Sequence, residues 1–494
     1  MISLGYDIGS SSIKIAAVDL ETGTILGTAF FPKEEMAIHS PRPGHAEQDP
    51  DVWWQCVVEV TRKLISGGVV KPESVGAIGI SYQMHGLVAV DAAMKPVRPA
   101  IIWCDSRAVE IGNKAFRSLG EEYCLSHLLN SPGNFTASKL RWIRENEPAV
   151  YGRIARIMLP GDYIALRMSG EASTTVTGLS EGIFWNFKEN AVDSRLLQEY
   201  QIDTSLLAPI VPAIGLQARL MRVAATELGL REGIPIAYRA GDQPNNALSL
   251  NVLQPGEVAA TAGTSGVVYG VASSRASDPR SRVNLFAHVN HTAAVPRLGV
   301  LLCINGTGIF YSWTRKLFGG QESYAALNDL AAAVPAGSDG LTILPFGNGA
   351  ERMLDNRNPG ARVCGLDLVR HGRGHMVRAA QEGIAFSFQR GMEIMRAMGM
   401  STDVIRAGNA NLFLSPIFRR TLATVSGATI ELYDTDGAAG AARGAAAGAG
   451  LYPDLSTALS SLKKISVEGP HAPDAGALAD SYARWNRELD MLLT

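Results

Sequence analysis

The sequence lacks a long apolar run, an excess of charge of either sign, and any closely spaced pair of cysteines. No stretch reaches the roughly 18 uninterrupted apolar residues that a membrane-spanning helix needs. Lys and Arg together number 45 and Asp and Glu 47, a formal net charge of −2. This balance excludes the basic footprint of a nucleic-acid-binding protein and a polybasic membrane patch. Partners must therefore be inferred from local motifs.

Cysteine is also scarce. The five cysteines are Cys56, Cys104, Cys124, Cys303 and Cys364. An odd number at wide spacing argues against a disulfide framework or a structural zinc site and fits a reducing compartment. The N-terminal segment also lacks the basic-then-apolar layout of a signal peptide. We therefore expect a cytoplasmic protein without membrane association.

At 494 residues the chain is too long for one hydrophobic core, since single cores stop growing at roughly 250–300 residues. Apolar runs rich in β-branched residues cover 2–8, 13–19 and 25–30, with turn residues between them, which predicts a three-stranded antiparallel meander. A helix is predicted at about 50–66 and a further strand at 75–81. Three strands, a helix and a strand indicate an α/β sheet covered by helices.

A similar order returns in the second half. It predicts strands at 256–262, 266–271 and 299–304, a helix near 308–318, a strand at 340–346 and a long helix at 375–399. We interpret the repeat as a distant structural duplication. The predicted domains are 1–250, 251–450 and a C-terminal helical extension, 451–494. The glycine spacing of the Ala/Gly tract 437–450 indicates close helix packing at the seam between the two halves, not a flexible linker.

Two turns of small residues follow strands at equivalent places in the two halves. In the first, Asp7 ends a strand and a Gly/Ser turn, 9–12, follows, an arrangement suited to Mg²⁺ and phosphate oxygens. The alternative is a hairpin turn whose side chains satisfy only the local backbone. The second turn, 262–266, has glycines that allow close backbone approach and hydroxyls that donate to phosphate. A triphosphate held between two domains needs one such loop from each side.

A third polar segment lies just before the predicted domain boundary. A strand at 234–238 leads Asp242 into a turn rich in Gly, Pro and Asn at 241–246. A carboxylate at the seam between domains is well placed to accept the proton of an attacking hydroxyl. Phosphoryl transfer asks little else of a protein beyond positioning, a metal and charge neutralisation. The alternative is that Asp242 caps the next helix.

Two further segments end strands with residues suited to a sugar. The turn 83–86 contains His85, although an isolated histidine is more often a hydrogen-bonded core residue. Downstream, the face of Trp103 could cover the C–H side of a sugar while Asp105 and Arg107 hold its hydroxyls. These two charges could equally form a surface pair of little consequence.

Taken together, these segments resemble the FGGY carbohydrate kinases, and among them the xylulokinases, in the same order from Asp7 to about Gly450. The segments that carry the resemblance are Asp7–Ser11, Ala46–Pro50 before Trp53 and Trp54, Gln83–Gly86, Arg98–Trp103, Gly241–Asp242 and Gly263–Gly266. The family's first signature pattern is matched by Thr136–Asn146, with Asn134 as an exception. Its second is matched by Ala361–Glu382, with Gln381 as an exception.

The resemblance implies two actin-like (ribonuclease H-like) α/β domains around a central interdomain cleft, an N-terminal sugar-binding domain and a C-terminal nucleotide-binding domain. It implies phosphorylation of a small ketose by ATP with Mg²⁺, and D-xylulose to D-xylulose 5-phosphate is the favoured reaction. Asp242 falls on the family's catalytic base, and Asp7 on the acidic residue that serves Mg²⁺ and the phosphates. The implied sugar-binding positions are Gln83, Met84, His85, Trp103, Asp242 and Gln243. The implied ATP-binding positions are Ser10, Ser11, Ser12, Lys14, Gly263, Thr264, Ser265, Gly308, Ser312, Gly408 and Asn409.

The chain departs from the family pattern at two places. The family's Gly-Gly-Gly adenine turn is replaced by Ala-Gly-Asn at 407–409, and Gln243 is a residue that glycerol kinases also carry. Met84-His85 stands where glycerol kinases have Arg-Glu, which favours a ketose. The alternatives are a kinase for ribulose, gluconate, glycerol or a deoxy-ketose, and an actin- or chaperone-like ATPase without a sugar substrate. We expect no nucleic-acid or membrane partner, and a homodimer is compatible with the sequence.

Overall fold

The computed structural model describes residues 1–275 and 277–493, which form two large β-sheets with helices packed on them. The strands of the first half are β1 (Ile2–Ile8), β2 (Ile13–Asp19), β3 (Ile25–Phe31), β4 (Glu47–Gln48), β5 (Val75–Tyr82), β6 (Val88–Val90), β7 (Ala100–Ile101), β8 (Arg156–Met158), β9 (Thr174–Thr175), β10 (Trp185–Asn186), β11 (Ala191–Val192), β12 (Ile210–Val211), β13 (Ile214–Arg219) and β14 (Pro235–Gly241). Its helices are α1 (Pro50–Ser66), α2 (Val109–Leu119), α3 (Glu121–Tyr123), α4 (Thr136–Asn146), α5 (Pro148–Tyr151), α6 (Pro160–Ser169), α7 (Val176–Glu181), α8 (Ser194–Tyr200), α9 (Arg222–Leu228) and α10 (Asp242–Ser249).

The first sheet has the strand order β13-β14-β5-β1-β2-β3. Strands β1, β2 and β3 form the predicted antiparallel meander, whereas β1, β5 and β14 run parallel to one another. Helix α1 covers the predicted range and buries one face, with Trp53, Val57, Val60 and Leu64 in the core. The strand and helix predictions for this part of the chain are therefore confirmed.

The second half repeats this pattern. Its strands are β15 (Val258–Ala262), β16 (Gly266–Ala272), β17 (Asn284–Ala287), β18 (Leu298–Ile304), β19 (Thr342–Phe346), β20 (Gly360–Cys364), β21 (Val404–Gly408), β22 (Thr429–Tyr433) and β23 (Lys464–Glu468). Its helices are α11 (Thr307–Thr314), α12 (Tyr324–Ala332), α13 (Arg373–Ala397), α14 (Pro416–Ser426), α15 (Gly437–Gly448), α16 (Leu455–Leu459) and α17 (Ala472–Leu493).

The second sheet has the order β17-β18-β16-β15-β21-β22-β23. Strand β15 pairs antiparallel with β16 and parallel with β21, as β1 does with β2 and β5. The predicted α/β class with two sheet-containing domains is confirmed. The end of the chain is not wholly helical as expected, because β23 adds a strand to this sheet before α17 begins.

Helix α15 joins the two halves. It packs on β1, β5 and β14 of the first sheet, although it follows strands of the second sheet in the chain. Its glycines permit this approach: a Cβ built on Gly440 would lie 2.5 Å from Cβ of Ser249, and one on Gly448 would collide with the carbonyl oxygen of Ala237. The prediction of close helix packing for the Ala/Gly tract is therefore confirmed. Across the described part of the chain, every helix is too short or too polar to span a membrane.

Candidate active site

The site begins at the carboxyl ends of three neighbouring parallel strands. In the pairing register, Asp7 of β1 lies opposite Ser81 of β5, and Gly241 of β14 lies opposite Tyr82. Since parallel strands end at the same edge of a sheet, the residues that follow them meet there, as is usual for ligand sites in α/β proteins. Asp7, the turn 83–85 and Asp242 are therefore neighbours.

Asp242 does not lie in a turn, which corrects the expectation from its Gly/Pro/Asn-rich surroundings. Strand β14 continues to Gly241, and α10 begins directly at Asp242. Pro244 does not prevent this, because a proline in the first helical turn removes an N–H that has no partner within the helix. Asp242 is also not the capping residue, since Gly241 precedes the helix. As a whole residue, Asp242 is half-buried.

The surroundings of Asp242 favour its protonated form more than water does. Burial and the charge of Asp7 raise the pKa of Asp242 to about 7, while hydrogen bonds with Gln243 lower it. A carboxyl with a pKa near the working pH is suited to accept a proton and release it again. Asp242 can therefore take up and release a proton near neutral pH.

Asp7 lies at the same edge. Ser81 Oγ donates a hydrogen bond to Asp7 Oδ1 at 3.1 Å, and a Cβ built on Gly437 would lie 3.1 Å from Oδ2. Burial raises the pKa of Asp7, Lys14 lowers it and Asp436 raises it. In the described residues there is no cluster of three or more His, Cys, Asp or Glu arranged around a metal. Mg²⁺ in kinases is usually held by one or two carboxylates together with the phosphates, and Asp7 fits that requirement.

His85 has a neutral ring, and one of its two nitrogens already forms a hydrogen bond. Its Nδ1 donates a hydrogen bond to the carbonyl oxygen of Glu181 at 2.9 Å, since a carbonyl can only accept. Burial and the nearby charge of Lys139 lower the pKa of His85 to about 3. The rings of Phe135 and Phe286 lie 4.8 and 5.2 Å from the imidazole, centre to centre. His85 is therefore hydrogen-bonded, as the alternative interpretation held, and its Nε2 still carries a lone pair that can accept from a hydroxyl.

The other predicted sugar-binding residues differ in burial and in hydrogen bonding. Both polar atoms of the Gln83 side chain and Oε1 of Gln243 are buried, without a hydrogen-bond partner among the described residues. Met84 is buried as well, while Trp103 is 48% exposed and its Nε1 donates to Ser10 Oγ at 3.2 Å. Buried polar atoms without partners are costly, so a polar ligand is the expected complement.

Asp105 and Arg107 do not form the surface pair that was one alternative. Both side chains are buried, and Arg107 Nη2 lies 2.7 Å from carboxylates of Asp105 and Glu47. Asp105 also accepts a hydrogen bond from the backbone N–H of Ala46 at 2.6 Å. Glu47 arrives through the pairing of β4 with β7, a contact that no local pattern predicts. The pair therefore has a structural role, because its charges interact with each other, with Glu47 and with the backbone of Ala46.

The first predicted phosphate loop is the tip of the β1–β2 hairpin. Ser10, Ser11 and Ser12 form this tip, and Lys14 stands opposite Asp7 in the strand pairing. The lysine charge favours the ionised carboxylate of Asp7. The loop therefore offers hydroxyls and one cation beside Asp7.

The second predicted phosphate loop is built around close backbone contact. A Cβ on Gly308 would collide with the carbonyl oxygen of Gly263 and lie 3.4 Å from the backbone nitrogen of Thr264. Ser265 Oγ accepts a hydrogen bond from the backbone N–H of Gly306 at 3.4 Å. This glycine-lined loop, next to the start of α11, fits a phosphate chain. Ser312, further along α11, is half-buried.

The predicted adenine segment approaches the same loop. The backbone N–H of Asn409 donates to the carbonyl of Tyr433 at 3.0 Å, directly after Gly408 ends β21. A Cβ built on Gly263 would lie 3.4 Å from Nδ2 of Asn411. The segment 408–411 and the loop at Gly263 therefore form one continuous surface.

The two halves meet at Asp242. Cys303, near the end of β18, is half-buried, and burial together with the charges of Glu351 and Asp242 raises the pKa of its thiol well above the ordinary value. Strand β18 ends beside the loop that carries Gly306 and Gly308. Asp242 thus faces the strand ends of the second sheet.

Two buried ionisable residues of the site were not predicted. Lys139 Nζ donates to the carbonyl oxygens of His85 at 2.8 Å and Ile102 at 3.0 Å. Glu181 lies against the same turn, where its side-chain Oε1 accepts from the backbone N–H of His85 at 3.4 Å. The sequence could have pointed to Lys139, since it belongs to the family signature at 136–146. No motif in the sequence includes Glu181.

Comparison with known proteins agrees with this geometry. The model of the N-terminal domain of the FGGY family of carbohydrate kinases matches residues 2–249, and that of the C-terminal domain matches residues 258–451. Xylulose kinase of Escherichia coli K12 is 28% identical over 477 residues, covering 96% of this chain and 94% of that protein. The crystal structure of xylulose kinase from Rhodospirillum rubrum superposes with a TM-score of 0.87 at 27% identity, covering 100% of this chain and 99% of that one.

A gluconate kinase from Lactobacillus acidophilus superposes equally well, with a TM-score of 0.89 at 21% identity over 100% of this chain and 99% of that one. The predicted actin-like (ribonuclease H-like) two-domain fold is confirmed by these similarities. Because a gluconate kinase shares the fold, the fold alone does not select the sugar.

Proposed function

The chain belongs to the FGGY family of carbohydrate kinases, and we propose that it transfers the γ-phosphoryl group of ATP to D-xylulose, giving D-xylulose 5-phosphate. It is a carbohydrate kinase of the xylulose kinase type. The observation that carries the finer proposal is the meeting of Asp242, Asp7 and the His85 turn at one sheet edge, opposite the glycine loop of the second sheet.

In this proposal Asp242 takes the proton of the sugar's terminal hydroxyl as that oxygen attacks the phosphorus. A pKa of about 7 supports this role, because a substantial fraction of Asp242 is then an ionised carboxylate at neutral pH. Proton transfer to a positioned base is typically worth about 10²–10⁴-fold in rate. The oxygen–phosphorus bond forms as the bond from phosphorus to the β-phosphate oxygen breaks, and ADP leaves.

Asp7 is the residue that would hold Mg²⁺, together with oxygens of the nucleotide. The metal, when bound, neutralises charge on the phosphates during transfer. Lys14, Ser10, Ser11 and Ser12 are placed to add positive charge and hydroxyl donors on the same side. The glycine loop 263–265 with Gly308, and the segment 408–409, would hold the remainder of the nucleotide.

The sugar is proposed to lie against His85, Met84, Trp103 and the two glutamines. A neutral His85 whose Nδ1 donates to the Glu181 carbonyl can accept a hydrogen bond from a hydroxyl at Nε2. Both polar atoms of the Gln83 side chain and Oε1 of Gln243 are buried without a hydrogen-bond partner among the described residues. These groups suit a polyhydroxylated neutral acceptor. The proposed compartment is the cytoplasm, in keeping with five unpaired cysteine thiols.

A panel of acceptors tests the proposal. ADP release is coupled to a spectrophotometric assay with D-xylulose, ribulose, gluconate, glycerol and a deoxy-ketose, each at several concentrations. We expect kcat/KM to be highest for D-xylulose. A higher value for another acceptor would reassign the substrate within the family. ATP turnover that no acceptor stimulates would instead support the actin- or chaperone-like ATPase.

A further inference from the structure

Glu181 carries a buried carboxyl beside the turn 83–86, which contains His85, and it takes no part in the transfer proposed above. Glu181 is the last residue of α7 and only 1% exposed. It contacts His85 twice: its carbonyl oxygen accepts from Nδ1 at 2.9 Å, and its side-chain Oε1 accepts from the backbone N–H at 3.4 Å. One residue therefore holds both the ring and the backbone of the histidine.

The backbone of His85 needs such support. Its φ of 61° lies in the left-handed region, which is uncommon for residues other than glycine and persists only where neighbouring groups hold it. Lys139 Nζ donates to the carbonyl oxygen of His85 at 2.8 Å from the other side. The turn is thus fixed between Glu181 at its N–H and Lys139 at its C=O, and this fixes where Nε2 points.

The same carboxyl also lies against the strand that leads to Asp242. A Cβ built on Gly241 would lie 2.5 Å from Oε2 of Glu181 and 2.6 Å from Cγ of Met84. Only glycine leaves room for this approach. Glu181 therefore lies between the ends of two strands: β5, which leads into the His85 turn, and β14, which leads to Asp242.

The protonation state of Glu181 follows from its surroundings. The ionisable groups that face it are Tyr82, His85, Asp162, Asp242 and Tyr269. Burial raises the pKa of Glu181 well above its usual range, Asp242 and Asp162 raise it further, and the hydrogen bond from the His85 backbone N–H lowers it. The balance favours an uncharged acid, which spares the site a third negative charge beside Asp7 and Asp242.

We propose that Glu181 is a positioning residue for the phosphoryl acceptor: as an uncharged acid it holds the His85 turn against the end of the strand that carries Asp242. This proposal rests on the proposed function, since the acceptor it positions is the sugar. Glu181 acts through His85 and by fixing the separation of the two strand ends. The proposal therefore predicts that substitutions of Glu181 change the KM for the sugar more than the KM for ATP.

Two substitutions separate this role from a merely structural one. Glu181→Gln keeps the shape and the accepting oxygen and is uncharged at every pH. Glu181→Ala leaves the N–H of His85 without its partner, so we expect the KM for the sugar to rise about tenfold or more while the KM for ATP changes less than about twofold. Glu181→Gln should stay within about threefold of the wild type in both constants at pH 7.

The pH profile of kcat/KM for the sugar gives the second readout. As the pH rises, Glu181 of the wild type loses its proton and places a negative charge beside Asp242 and the incoming phosphoryl group. We expect kcat/KM to fall more steeply on the alkaline side in the wild type than in Glu181→Gln, which keeps only the contribution of groups common to both proteins, such as Lys139. Glu189→Gln, the same substitution at an exposed position in the following segment, is the matched control and should behave as the wild type.

Coinciding alkaline limbs in the wild type and Glu181→Gln would overturn the proposal, as would an unchanged sugar KM in Glu181→Ala or an equal rise in both KM values. The pH comparison remains decisive if Glu181→Ala does not fold. Each assay begins with wild-type turnover on the best acceptor of the panel. Absence of any sugar-dependent turnover there would contradict the proposed function itself, which is a different result from normal turnover with insensitive Glu181 variants.

Discussion

The proposed acceptor side and the proposed nucleotide side of the site differ in the residues that form them. The acceptor side, His85, Lys139, Glu181 and Asp242, consists of buried or half-buried ionisable side chains whose pKa values are all displaced by burial. The nucleotide side, the loops 263–265 and 306–308 with the segment 408–411, consists mainly of glycines and small polar residues in close backbone contact.

This difference indicates two kinds of recognition. On the acceptor side, the proton affinities and hydrogen bonds of side chains determine acceptor binding and turnover. Substitutions that keep the shape of a side chain but change its charge should therefore have large effects on kcat or on the KM for the sugar. On the nucleotide side the backbone supplies the donors, and the space that glycines leave open determines whether a phosphate chain fits. There, steric substitutions should matter more than changes of charge.

The largest effect is expected at Asp242. Asp242→Asn is nearly isosteric but cannot accept the proton, so kcat should fall about 10²–10⁴-fold while sugar binding largely survives. Steady-state kinetics on the best acceptor, with sugar affinity from calorimetry, checks both parts. An exposed aspartate of α17 provides the matched control, and Asp480→Asn should leave kcat unchanged. Turnover of Asp242→Asn near the wild-type value would remove the base assignment and weaken the contrast between the two sides.

The sequence predicts the strands and helices of this fold well, because their hydrophobic periodicity is local. The meander at 2–31 and the helices at 50–66 and 373–397 begin and end within a few residues of their predicted bounds. It also puts Asp7 at the end of its strand, whereas Asp242 was expected in a turn and begins a helix instead. Their proposed roles remain predictions.

What the sequence could not predict depends on contacts between distant segments. Arg107 and Asp105 are buried because Glu47 comes to them through a strand pair, and no local pattern carries that information. Glu181 becomes part of the acceptor side only because α7 ends against both the His85 turn and Gly241. Such environments arise from packing, so they had to be found in three dimensions.

The second prediction concerns the stability of the acceptor side. Burial lowers the pKa of Lys139 from 10.5 to about 8. Below pH 8 the lysine is protonated in both states, and the folded protein bears the full cost of the buried charge. Between about pH 8 and 10.5 the unfolded chain holds one more proton than the folded one, so folding becomes more favourable as the pH rises. Relative to Lys139→Met, the wild type should gain roughly 3 kcal/mol across this interval.

Thermal unfolding midpoints of the wild type and Lys139→Met at pH 7, 8, 9 and 10 measure this change, since other titrating groups are common to both proteins. Lys63→Met, an exposed change in α1, should show a constant difference from the wild type. A constant difference for Lys139→Met as well would mean that its ammonium group carries no net cost of burial. Lys139 would then titrate like a lysine on the protein surface.

The smallest of the three effects is expected on the nucleotide side, where the contrast predicts a response to size. In Gly308→Ala the new methyl group collides with the carbonyl oxygen of Gly263, so the loop proposed to hold the phosphate chain must shift. Inserting one carbon into a close-packed site typically costs about 1–3 kcal/mol, so the KM for ATP should rise about tenfold or more. The KM for the sugar should remain near the wild-type value, as measured by varying each substrate at saturating concentrations of the other.

Gly476→Ala is the control for adding a methyl group, because a Cβ there meets no atom within 4 Å and the residue lies within α17. It should leave both KM values unchanged and raise stability slightly, by about 0.5–1 kcal/mol, since alanine favours a helix more than glycine does. An equal rise of the sugar KM and the ATP KM in Gly308→Ala would show that the two sides move as one body. A rise confined to ATP would instead place nucleotide recognition in the shape of the backbone at Gly263 and Gly308, separate from the side-chain chemistry around Asp242.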